Sequence, residues 1–129
     1  MDENNLVADL RKLADDLETQ EGPLALFMIV APDAETSDAW NLIVSSHGLD
    51  SKSLGSAVRK VTDALTRNVS ESEWSQFSRT TVLRTNDPFV RAMNSRFHAE
   101  QSVVNLQSFN VSGVDIPRAV LLESKRVAA

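Results

Sequence analysis

The run Leu24-Ala25-Leu26-Phe27-Met28-Ile29-Val30-Ala31 contains no polar side chain. It is far shorter than the ~18 apolar residues of a membrane helix. Gly22-Pro23 precedes it and Pro32 follows it, which confines it to strand length. An apolar run of this kind reads as a strand covered on both faces, and so as a central strand with a layer on each side.

The neighbouring segments are read outward from that strand. Residues 32–38 are a polar loop, and Ala39–Ser46 is a second strand. Trp40, Leu42 and Val44 share one of its faces, and Asn41, Ile43 and Ser45 share the other. The short connection suits an antiparallel pair, and the polar content of the second strand suggests a sheet edge. Upstream, Leu6, Leu10, Leu13, Ala14 and Leu17 recur at helical spacing over residues 3–20. Asp15, Asp16 and Glu18 fall near that helix's C-terminus, where the dipole disfavours them, so an arginine from the second half is expected to offset them.

Downstream, Leu54, Val58, Val61 and Leu65 mark the buried stripe of a second helix, Ser51–Arg67, with Asp50 or Ser51 as its cap. Ser70 and Glu73 have capping-box spacing, which predicts a short turn that folds Trp74 and Phe77 onto the core. Ser78–Thr85 is a third strand. Asn86-Asp87-Pro88 starts a third helix whose apolar face is Phe89, Val90, Met93 and Phe97. Residues 102–111 and 116–124 form a hairpin about the turn 112–115, and Ala119-Val120-Leu121-Leu122 reads as interior.

The element order is α-β-β-α-β-α-β-β. The fold class is therefore α+β, a mostly antiparallel five-stranded sheet with helices packed on it. In outline this order resembles the profilin-like and roadblock type of sandwich. The third helix interrupts that pattern, and no residue motif carries the comparison.

The 129 residues fit one globular domain spanning 1–129, with 42% apolar and 24% charged residues. There is no cysteine, which excludes disulfides, thiolate metal sites and thiol nucleophiles. The acidic N-terminus lacks the features of a signal peptide, so a cytoplasmic location and no membrane association are expected. A net charge of −5 and the absence of tyrosine argue against nucleic acid as a partner. The charge is unevenly placed. Residues 1–50 carry eleven acids and two bases, and residues 51–129 carry seven acids and eleven bases. That asymmetry suits self-association or docking on another protein.

Two strand-to-helix junctions, 45–53 and 84–87, are the most site-like segments. Helix N-termini present amide donors and favour anions. If the second and third strands run parallel, His47, Ser51 and Lys52 meet Arg84 and Asn86 at one edge of the sheet, a pocket for a phosphate or carboxylate. No P-loop, nucleophile elbow or metal-ligand spacing is present, so no cofactor, metal or catalytic residue is assigned. The expected function is a non-enzymatic protein-interaction or dimerisation module. The alternative is a small anion- or phosphometabolite-binding regulatory domain. A third reading, a small hydrolase or transferase, would use His47 with Ser45 or Asp50.

Overall fold

The computed structural model describes residues 3–31, 39–100 and 102–126, with side chains from Leu6 onward; the loop 32–38 lies outside the described residues. The chain runs α1 (Glu3–Glu21), β1 (Leu24–Ala31), β2 (Trp40–Ser46), α2 (His47–Asp50), α3 (Leu54–Asn68), α4 (Glu71–Trp74), β3 (Phe77–Val82), α5 (Pro88–Arg96), β4 (Val104–Val111) and β5 (Val114–Ser124). The strands form one sheet in the order β3-β2-β1-β5-β4. Only the β2–β3 pair is parallel, its strands joined by the crossover through α3. This is the expected α+β class, with β1 at the centre and β5 interior.

The alternation of β1 and β2 divides the core. Phe27, Ile29, Trp40, Leu42 and Val44 face a layer made by α1 and α3, closed by Leu10, Leu13, Leu17, Val61 and Leu65. Met28, Ile43, Ala119 and Leu121 face the opposite layer, where α5 supplies Phe89, Val90 and Met93. Between β4 and β5 the alternation shifts. Ser108 has φ 50°, and beyond it Phe109 pairs with Ile116 on the layer that Leu106 and Ala119 already face. The hairpin closes through Ser112 and Gly113, both at positive φ, so the turn is two residues and not the expected four.

Several expectations need correction. β2 is interior, because β3 returns alongside it; the edges are β3 and β4. The second helix begins at Leu54, capped by Ser53, because residues 47–50 make a separate helical turn capped by Ser46. Ser70 precedes α4 without a side-chain cap bond, and Trp74 is 36% exposed, so it does not fold back onto the core. Phe77 does pack against the core. The apolar stripe of α1 is fully covered, with Leu6, Leu10, Leu13, Ala14 and Leu17 all buried.

The acidic helix finds its offset within the chain. Arg67 Nη2 lies 3.1 Å from Asp16 Oδ2, Lys125 Nζ 3.6 Å from Glu18 Oε1, and Lys52 Nζ 3.3 Å from Glu21 Oε1. The Asn68 amide donates to Asp16 at 2.7 Å. That bond, aided by Arg67 and Gln20, holds the Asp16 carboxyl below its ordinary range against the opposing effect of burial. Three of the acids near the end of α1 are thus tied to bases from the second part of the chain.

Glu73 behaves in the opposite sense. Burial pushes its carboxyl up, and the Asp9 carboxyl facing it from α1 adds to the shift. The folded chain holds this proton more tightly than the unfolded one. Its stabilising effect is full at acid pH and is lost as pH rises from the ordinary glutamate range through the raised value. Glu73→Gln is therefore expected to match the wild type in urea melts at pH 4 and to exceed it at pH 8. Equal stability at pH 8 would overturn this reading of the pair.

Candidate functional site

Because β2 and β3 are parallel, Ser46 and Val82 end on the same edge of the sheet. The antiparallel pairing of β1 brings Leu24 and Ser124 to that edge too. Three carboxyl ends, those of β2, β3 and β5, therefore converge there, and backbone leaving strand ends is where a sheet commonly builds a binding crevice.

The turn α2 is fixed from both sides. Ser46 Oγ accepts from Leu49 N at 3.1 Å, and Ser51 Oγ donates to Gly48 O at 2.9 Å. Gly48 lies flat against the end of α1, where a β-carbon would sit 2.2 Å from Glu21 O. Asp50 then gathers the second junction. Its carboxylate accepts from Thr85 N at 3.0 Å and from Thr85 Oγ1 at 2.5 Å. Its carbonyl accepts from Arg84 Nη1 at 2.7 Å. His47 Nδ1 lies 3.4 Å from both Asp50 Oδ2 and Thr85 Oγ1, so the ring is set against this pair by long contacts.

His47, Thr85 and Asn86 form one wall of a cleft of about 390 Å³. Arg91 and Asn94 of α5 and Arg126 beyond β5 form the other wall, with Ala25 also lining it. Asn94 is pinned. Its amide nitrogen donates to Ala25 O at 2.9 Å and to Ser124 Oγ at 3.1 Å, and Ser124 Oγ donates onward to Phe97 O at 2.8 Å. Arg91 and Arg126 are exposed and have no ion-pair partner among the described residues.

Of the residues singled out in the sequence, His47 and Asn86 line the cleft. Arg84 does not line it; its guanidinium donates to the Asp50 carbonyl. Ser51 and Lys52 are engaged elsewhere, with Gly48 O and Glu21. The sequence reading gives Arg91, Asn94 and Arg126 no part in this site, and Thr85 enters it only as a member of the 84–87 junction. The i, i+3 spacing of Arg91 and Asn94, with Asn94 flanking the apolar stripe of α5 and Arg91 beyond it, is the available signal for two of them. Nothing in the order of residues places Arg126 beside β1.

The geometry bears on catalysis as well. Ser45 is fully buried with no hydrogen bond to its hydroxyl, and Ser46 serves as the α2 cap. Thr85 gives its hydroxyl hydrogen to the Asp50 carboxylate, while His47 Nδ1 stands at the same 3.4 Å from both, so the hydroxyl is engaged by the acid rather than by the imidazole that a nucleophile–base–acid chain requires. Among the described residues no three metal-ligating side chains cluster, and no helix is long and apolar enough to cross a membrane. Models of known protein families, curated proteins and solved structures were compared with the chain, and none matches it.

Proposed function

We propose that the protein is a non-enzymatic binding domain that holds a small anionic ligand in the cleft between the β2–α2 turn and α5. One observation carries this reading. Arg91 and Arg126 line one cleft, and neither is neutralised by a carboxylate among the described residues. Two uncompensated cations at a concave site raise the local concentration of anions and supply forked donors for them. Among the described residues no carboxylate lines the cleft, and Asp50, which stands behind His47, is occupied by Thr85.

The test is a thermal-shift titration with inorganic phosphate at constant ionic strength. Saturation to a hundred times the dissociation constant adds about 2.7 kcal/mol, which raises the melting temperature by several degrees. Arg91→Gln and Arg126→Gln are each expected to abolish the shift. Both positions are exposed, so the unliganded proteins should stay within about 0.5 kcal/mol of wild type. A shift that persists undiminished in both variants would place the anion elsewhere and defeat the proposal.

A homodimer is the second reading, favoured by the two edge strands β3 and β4, whose outer backbone groups have no ladder partner among the described strands. Two of its other supports have fallen, since β2 is interior and the stripe of α1 is covered. Sedimentation equilibrium decides it, and a single monomeric species at 100 µM would end it.

A further inference from the structure

Resting on the anion-binding reading above, we propose that the ligand is a phosphate monoester that also carries a hydroxyl or amine donor, the donor going to Asn94 Oδ1. The phosphoryl half follows from the number of cations. One guanidinium fork satisfies both oxygens of a carboxylate. A phosphate monoester carries close to two negative charges at neutral pH and three acceptor oxygens, which matches Arg91 and Arg126 together.

The donor half follows from the state of Asn94. Ala25 O is purely an acceptor, so the side-chain nitrogen of Asn94 must be the atom facing it. The second amide hydrogen goes to Ser124 Oγ, whose own hydrogen goes to Phe97 O. Both donors are spent and the amide cannot flip. The group that Asn94 offers to the cleft it lines is therefore its carbonyl oxygen, an acceptor. An acceptor beside two cations selects a ligand whose anionic end is followed by a donor. A volume of about 390 Å³ is near the lower end for ligand clefts, which suits a small monophosphorylated polyol or amino alcohol.

Isothermal titration of the wild-type protein at pH 7.5 and constant ionic strength, with acetate, succinate, propyl phosphate and glycerol 3-phosphate, tests both halves. Propyl phosphate is expected to bind at least tenfold tighter than acetate and tighter than succinate. Glycerol 3-phosphate is expected to bind about 3- to 10-fold tighter than propyl phosphate, the worth of one neutral hydrogen bond. Equal affinity for the two phosphates would overturn the role of Asn94. Succinate or acetate binding as tightly as propyl phosphate would overturn the phosphoryl class. In both cases the anion-binding reading survives if Arg91→Gln and Arg126→Gln weaken whichever compound binds. Failure of all four compounds to bind overturns both proposals.

Discussion

Gly48→Ala is expected to destabilise the protein by about 2–3 kcal/mol, even though it replaces glycine by alanine within a helical turn. On propensity alone that change would stabilise by about 0.5–1 kcal/mol. Contact decides the sign. The added methyl would lie 2.2 Å from Glu21 O and 2.9 Å from Glu21 C, and both atoms belong to backbone. A flexible side chain could swing aside, whereas the end of α1 must move, with the cost of overpacking. The displaced segment lies between His47 and Asp50, so the Asp50–Thr85 bonds should loosen and anion affinity should fall together with stability. Gly55 supplies the control. It lies in the first turn of α3 and a β-carbon there meets nothing, so Gly55→Ala should be neutral or slightly stabilising. Urea melts of the two variants side by side give the answer. If Gly48→Ala proved as stable as Gly55→Ala, the close approach of α2 to α1 would be wrong.

The second large effect concerns Arg11 and Glu123. Glu123 is completely buried near the end of β5, with Arg11 Nη2 2.8 Å from Oε2 and Lys125 Nζ 3.6 Å from Oε1. Removing one member of a buried pair strands the other charge, at about 3–5 kcal/mol when burial is complete. Arg11 retains 22% side-chain exposure and Lys125 remains nearby, so Arg11→Met should cost about 2–3 kcal/mol. Arg11 Nε and Nη1 are buried without hydrogen-bond partners, so the pair is imperfectly satisfied as it stands. Replacing both members with apolar residues, Arg11→Met with Glu123→Leu, is then expected to recover most of the loss. A double-mutant cycle by urea denaturation measures this coupling. A single Arg11→Met variant as stable as wild type would show that the pair contributes nothing.

Much of the architecture was legible because local rules agreed with it. The leucine spacing of α1, the apolar run of β1 and the Asp87-Pro88 start of α5 each carry their own physical cause, and each stands in the structure. The errors cluster where the answer depends on a distant partner. β2 looks like an edge by its polar residues, yet Asn41 accepts a hydrogen bond from Thr81 of β3 at 3.0 Å, so its polarity serves an interior pairing. The capping-box spacing of Ser70 and Glu73 is overridden because Glu73 is buried toward Asp9. For the cleft, local reading found the β2 and β3 junctions and identified parallel strands as the condition for their meeting. It missed the opposite wall because Arg91, Asn94 and Arg126 belong together only once β5 lies beside β1.

That neighbour relation also has a consequence in time. Ile29 pairs with Val120, about ninety residues later in the chain. A ribosome adding roughly 5–20 residues per second leaves the β5 side of β1 open for roughly 5–20 seconds before that partner exists, although β2 follows at once on the other side. During that interval the most apolar segment of the protein is attached to a leading half that is strongly acidic. Like charge keeps such nascent chains apart, so the acidic half acts as a temporary solubiliser of β1. Once the later residues emerge, Arg67 and Lys125 take up Asp16 and Glu18, the net charge falls from −9 over residues 1–50 to −5 over the whole chain, and β1 is covered as the sheet closes.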